Sequence, residues 1–171
     1  FKQKTAYEIK ECDWSSDVCS SDLHRERSVM AVLVNPSREA LDVYRALRVE
    51  IEETCARIND RWGRGDRLPV ILDARDDFAR SLGGLVRADV LFVNPIKDGL
   101  NLVAKEGPSV NERDAPLCLS RDAGAFDELR ADCIPLQPYD VVQSAAALAA
   151  ALEMPRSEEH TSELQSHSFI S

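Results

Sequence analysis

Histidine is nearly missing from this chain. Three occur in 171 residues, and with His160 and His167 close to the C-terminus, His24 stands by itself. A zinc-type cluster has no imidazole set to draw on, and no metal site is expected. Positive charge is also short. Against 30 Asp and Glu there are 21 Lys and Arg, a formal net charge of -9. With no basic stripe, the balance argues against nucleic acid or an anionic membrane as partner. Nor does any apolar run approach the roughly 20 residues that a membrane helix needs. Cysteine is sparse as well. Between residues 24 and 155 only Cys55, Cys118 and Cys133 occur. They are widely spaced and odd in number, which suits a reducing cytoplasm better than a disulfide framework.

The two ends do not read as parts of a domain. Residues 156–166 (RSEEHTSELQS) can be encoded by one strand of a short-read sequencing adapter, and the reverse complement encodes residues 13–23 (DWSSDVCSSDL). Residues 2–9 (KQKTAYEI) have the same character, and residues 9–12 and 167–169 fit the two strands of one barcode. Residues 1–23 and 156–171 are therefore expected to be adapter-derived and disordered. They are set aside from fold reasoning as tags and fusion scars are. Residues 24–155 are expected to be the domain.

That segment alternates short apolar runs and longer amphipathic ones. Residues 29–34 (VMAVLV) form a continuous apolar run ended by Asn35-Pro36, as for a strand buried on both faces. Ser37 can cap the helix beyond it, with Glu39 in the first turn. Leu41, Tyr44, Leu47, Ile51, Cys55, Ile58 and Trp62 recur at three- and four-residue steps, which predicts a long helix stopped by Gly63 and Gly65. Its Glu and Arg residues are read as a solvated face. Strands are predicted at 68–72, 88–93, 116–120 and 134–136. Helices are predicted at 76–87, 98–109, 123–130 and 141–152, the last capped by Asp140. Strands spaced by helices mean βαβ units: an α/β fold with a Rossmann-like parallel sheet and helices on both faces. Ligands in such folds collect beyond the carboxyl ends of the strands. Here that means the loops at Asn35, Asp73, 94–101, 120–124 and Pro138.

One of those loops carries the chemistry. A clear strand delivers the chain into residues 94–99 (NPIKDG), and a helix comes at once after it. Gly99 permits a tight turn and close backbone approach. The amides of residues 100–103 would be the unpaired donors of the helix N-terminus, a ready-made diphosphate site. Asp98 and Glu106 bracket it, and carboxylates are good acceptors for sugar hydroxyls. A bare strand–Gly–helix turn is a weak signal. The string at 98–106, DGLNLVAKE, is far more specific.

That string resembles the nucleotide-sugar-binding signature of the trehalose-6-phosphate-synthase family, retaining glycosyltransferases with two Rossmann-like halves (GT-B fold, glycosyltransferase family 20). Flanking stretches support it: residues 44–48 (YRALR), 57–59 (RIN), 87–90 (RADV), 119–120 (LS), 123–125 (AGA), 128–129 (EL), 138–141 (PYDV) and 150–155 (AALEMP). The resemblance covers essentially all of 24–155 and corresponds to the C-terminal, donor-binding half. It implies transfer of glucose from a nucleoside diphosphate glucose, usually UDP-glucose, to glucose 6-phosphate with retained configuration. The partners are then a nucleotide sugar and a sugar phosphate, with no cofactor. Residue by residue, it implies that Asp98 binds hydroxyls of the transferred glucose. The backbone of Gly99, Leu100, Asn101 and Leu102 would contact sugar and diphosphate, with Asn101 and Leu102 holding phosphate. Val103 would lie near the nucleoside, and Glu106 would take the ribose hydroxyls. Pro95 and Ile96 would pack against the ligand or shape the loop. An Arg/Lys pair and an acceptor pocket, which the family places upstream, are absent, so no catalytic residue is assigned and the chain alone is expected to be inactive. Whether the parent is a homo-oligomer is left open.

Other residues are read as structural. Cys118 belongs to the core. Ser120 lacks a histidine partner, so a hydrolase reading fails. Asp122, Asp127 and Glu128 cap and decorate a helix, Lys105 belongs to the motif with its role open and otherwise reads as a solvated charge, and Gly124 marks a close backbone approach near the donor. Residues 106–111 (EGPSVN) depart from the family's usual aromatic and small residues, and Pro108 should kink or end the helix there. Alternatives are a glucosylglycerol-phosphate-synthase-type enzyme, a non-catalytic nucleotide-sugar-binding homologue, and a flavodoxin-like regulatory domain. The last needs an acidic metal cluster and a switch residue, and neither is found.

Overall fold

A computed structural model describes residues 28–34 and 41–155. The proposed cap at Ser37, the loop at Asn35 and both terminal segments lie outside the described residues. The described part falls into two compact units, one up to Ser81 and one from Leu82 onward.

In the first unit, β1 (Met30–Leu33) pairs in parallel with β2 (Val70–Asp73), Met30 facing Val70 and Leu33 facing Asp73. Between them runs α1 (Asp42–Trp62). The stripe predicted from spacing is the less exposed side of this helix. Tyr44, Leu47, Ile51, Ile58 and Trp62 are half-buried and Cys55 is buried, whereas Leu41 is exposed and precedes the helix as its cap residue. The opposite side is solvated, with Arg48 bonded to Glu52 at 3.0 Å one turn away. Asn59 docks the end of α1 on β2 by pairing with both backbone groups of Val70, at 2.9 and 3.0 Å. The helix stops at Gly63, whose amide still reaches the Asn59 carbonyl at 2.7 Å. A Cβ at Gly63 would lie 2.5 Å from that same oxygen, so only glycine fits this close turn. α2 (Phe78–Arg87) comes next, two residues later than the predicted start.

The second unit holds a three-stranded parallel sheet in the order β3 (Leu91–Val93), β4 (Leu117–Ser120), β5 (Cys133–Leu136). All four residues of the central strand β4 are buried. Side chains alternate strictly between faces, as the period of two in a strand demands. Leu91, Leu117 and Leu119 face one side, where Ala104 of α3 (Leu102–Val110) packs with Ala123 and Ala125. Cys118 and Leu136 face the other, against Ala147 and Ala151 of α5 (Val141–Glu153). Helices thus cover both faces of this sheet. The small side chains of α5 let the helix approach closely, and Leu119 and Leu136 are fully buried. Each such burial contributes about 2 kcal/mol. Asp140 caps α5 as expected, accepting from the Gln143 amide at 2.9 Å. Pro135 sits on β5, an edge of the sheet, where a missing N–H is tolerated.

Several predicted boundaries need correction. β3 begins at Leu91 rather than at residue 88, because the Asn111 side chain donates to the carbonyls of Leu85 and Ala88 at 2.7 and 3.0 Å and holds that stretch as a turn. The same side chain accepts from the amides of Arg113 and Ala115 at 2.9 and 3.0 Å, so one asparagine ties together the entries to β3 and β4. The helix predicted from 123 is the short α4 (Phe126–Leu129), since Ala123 and Gly124 are engaged elsewhere. Pro108 lies inside α3, which runs on to Val110. A proline removes one donor, and this one falls within a turn of the helix end.

Candidate functional site

The loop after β3 is held from below by the loop after β4. Asp98 pairs with Ala123 in a single parallel bridge: the Asp98 amide donates to the Asp122 carbonyl at 3.3 Å, and the Gly124 amide donates to the Asp98 carbonyl at 3.0 Å. Gly124 then lies flat against Gly99. A Cβ placed on Gly124 would sit 1.5 Å from the Gly99 carbonyl oxygen, a distance no side chain tolerates. The close backbone approach expected at Gly124 is therefore present, and its partner is Gly99. Around Gly99 itself nothing comes within 4 Å of an added Cβ, so the space on that side is open.

The tight turn is made by Asn101, not by Gly99. Asn101 adopts φ 54° and ψ 79°, the left-handed region that asparagine enters more readily than most residues. Its Oδ1 accepts from the Ala104 amide at 3.0 Å, capping α3, and its Nδ2 donates to Asp98 Oδ2 at 2.9 Å. The helix therefore starts at Leu102 rather than at residue 98. Asp98 stands three residues before the cap, its backbone committed to the bridge with Ala123. Asparagine's preference for caps and for positive φ is the sequence signal that identifies Asn101.

The stretch 98–106 leaves both donors and acceptors exposed. Among the described residues, the amides of Leu102 and Val103 make no hydrogen bond, as the first turn of a helix requires. Leu100, Leu102 and Val103 expose about half their surface or more. Asp98 and Glu106 are exposed carboxylates, and Asp98 is tied to the Asn101 amide. Pro95 and Ile96 are half-buried. Nearby, at the carboxyl end of β3, the buried Asn94 Oδ1 has no partner among the described residues.

Lys105 is not a free solvated charge. Its Nζ meets Glu128 Oε2 of α4 at 2.6 Å, across 23 residues of sequence. Spacing within one helix could not reveal this pair. Cys118 is core: burial pushes its thiol up to about 11, which leaves it protonated and unreactive. Ser120 is fully buried, and its hydroxyl accepts from the Asp122 amide at 3.1 Å, shaping the turn beneath Asp98. Asp73 closes onto its own unit: Arg75 holds both its oxygens, at 2.9 and 3.1 Å, and Arg80 also contacts it. The first of these bonds chiefly keeps the carboxyl below its ordinary value. Asp73 is thus already satisfied.

The sequence model of glycosyltransferase family 20 matches residues 20–171. The chain belongs to glycosyltransferase family 20. A probable alpha,alpha-trehalose-phosphate synthase of Arabidopsis thaliana is 31% identical over 148 residues, which is 85% of this chain and 18% of that protein. The alpha,alpha-trehalose-phosphate synthase (UDP-forming) of Burkholderia xenovorans, solved in complex with glucose-6-phosphate, superposes with a TM-score of 0.74 at 32% identity. It covers 80% of this chain and 30% of that one. An E. coli trehalose-6-phosphate structure bound with UDP-2-fluoro glucose has a TM-score of 0.74 at 30% identity, covering 81% and 31%. The chain thus spans under a third of the length of each. The α/β architecture with parallel strands and flanking helices is that of these GT-B glycosyltransferases.

Proposed function

We propose that residues 98–106 form the donor-sugar site of a retaining glucosyltransferase that takes a nucleoside diphosphate glucose, UDP-glucose above all, and passes glucose to glucose 6-phosphate. One observation carries this reading. A left-handed Asn101 starts the helix at Leu102, so that the unpaired amides of Leu102 and Val103 lie along the chain between two exposed carboxylates, Asp98 and Glu106. Amides at a helix start suit the diphosphate, through their N–H groups and the helix dipole. Carboxylates suit the hydroxyls: Asp98 those of glucose, Glu106 those of ribose. The Asn101 side chain is spent on Asp98 and Ala104, so its contribution to phosphate is its backbone. As the diphosphate leaves, fixed dipoles of this kind stabilise its growing charge without reorganising.

The remaining parts of the reading concern the longer protein. Relatives named as trehalose-phosphate synthases are about three to five times this length, and the cationic pair and acceptor pocket implied by the resemblance fall outside residues 24–155. The 171-residue chain is therefore expected to bind donor but not to transfer glucose. A cytoplasmic location fits Cys55, Cys118 and Cys133, which are free cysteines among the described residues. Calorimetric titration of the chain with UDP-, ADP- and GDP-glucose tests the site. Saturable binding with a preference for UDP-glucose is the expected outcome. Absence of binding to all three would remove the donor site.

A further inference from the structure

Glu128 stands 22 residues beyond the end of the 98–106 string, and nothing in that string requires it. We infer that Glu128 is a positioning residue for donor binding, acting through Lys105. This rests on the donor-site reading above. The loop of residues 98–101 has no core of its own: Asp98, Gly99 and Leu100 are exposed. Its shape comes from three ties to the β4–α4 segment. Asp122 and Gly124 bond the Asp98 backbone at 3.3 and 3.0 Å. Gly124 lies against Gly99, where a Cβ would collide at 1.5 Å. Glu128 grips Lys105 at 2.6 Å. The first two ties fix the loop before its turn at Asn101. The third fixes α3 after it, one turn beyond the amides of Leu102 and Val103 and next to Glu106. Together they set the helix start relative to Asp98, and with it the spacing between phosphate donors and sugar acceptors.

The pair also removes a competing role for Lys105. A lysine beside a diphosphate site would be expected to neutralise the ligand directly. Here its ammonium is bonded to Glu128 of α4, and the side chain as a whole is 35% exposed. With the lysine so held, Glu128 governs orientation rather than charge at the site.

The test uses the 171-residue chain and UDP-glucose in calorimetry, with the thermal midpoint recorded for each variant. Glu128→Gln should weaken UDP-glucose binding about threefold to fivefold, in line with a half-exposed ion pair, while the chain stays folded. The double variant Lys105→Glu with Glu128→Lys restores the pair with its ends exchanged and should recover most of the affinity. If the unaltered chain binds and Glu128→Gln binds equally or more tightly, the inference is overturned and the donor site stands; tighter binding would mean that Glu128 competes with the ligand for Lys105. Failure of the exchanged pair to recover affinity would also overturn it, since Lys105 would then serve the ligand directly. If the unaltered chain binds no nucleoside diphosphate glucose, both readings fall together.

Discussion

The last residue of β2 and the loop after β3 each present an aspartate at the carboxyl end of a parallel strand, and the two could hardly be used more differently. Asp73 is buried, with its side chain only 7% exposed, and is neutralised by Arg75 and Arg80. Asp98 is exposed and bonds one neutral amide. An ionised group withdrawn from water must be paired, and once paired it has little left to offer a ligand. Asp98 keeps most of its acceptor capacity because the fold secures its backbone and leaves the carboxylate exposed. The position beyond a strand end marks where ligands collect; which strand end is available depends on whether local partners have already claimed the polar groups.

Several substitutions would break or sharpen this contrast. The largest effect is expected at Gly124, on which the loop after β3 rests. Gly124→Ala forces Gly99 away and should cost about 3 kcal/mol or more of stability in denaturant titration, with UDP-glucose binding lost. A stable, binding-competent Gly124→Ala chain would show that the two loops do not lean on each other. Asp98→Asn should leave the thermal midpoint unchanged yet weaken UDP-glucose binding at least tenfold, matching about 1.5 to 3 kcal/mol for a hydrogen bond to a charged group. Asp73→Asn should do the reverse, lowering the midpoint with donor affinity retained. Equal effects of the two on stability would erase the distinction between them.

Asn101→Ala removes the α3 cap and strains a left-handed residue, costing about 1 to 2 kcal/mol. Asn101→Gly keeps the backbone freedom and should cost less, which separates the two contributions. The smallest effect is one of pH. Because the Arg75 hydrogen bond lowers the Asp73 pKa beneath its ordinary 3.8, the folded state holds this carboxylate ionised where the unfolded chain begins to protonate it. The resulting stability is complete above the unfolded value and fades as pH falls through the lowered folded one. Acid titration of the thermal midpoint should show that loss in the parent chain and not in Asp73→Asn.

Much of the fold was legible because burial imposes periodicity. The stripe from Tyr44 to Trp62, the apolar run of the buried strand β4 and the cap at Asp140 are local consequences of helical and extended geometry, whereas the apolar run at 29–34, read as buried on both faces, leaves Val29 and Met30 exposed. The starts of β3, α3 and α4 were misplaced for a common reason. Each is set by a polar group from a distant segment: Asn111 on Leu85 and Ala88, and the β4–α4 turn on Asp98. Lys105 looked like an ordinary surface lysine because its partner is 23 residues away.

The string at 98–106 by itself determined the family and the chemical types on offer: amides at a helix start, flanked by two acids. Only the tertiary structure decided which residue makes the turn, which glycine must lack a side chain, and which aspartate remains open to a ligand. Residue types and short-range spacing are written along the chain, whereas contacts between loops depend on how parallel strands bring their ends together.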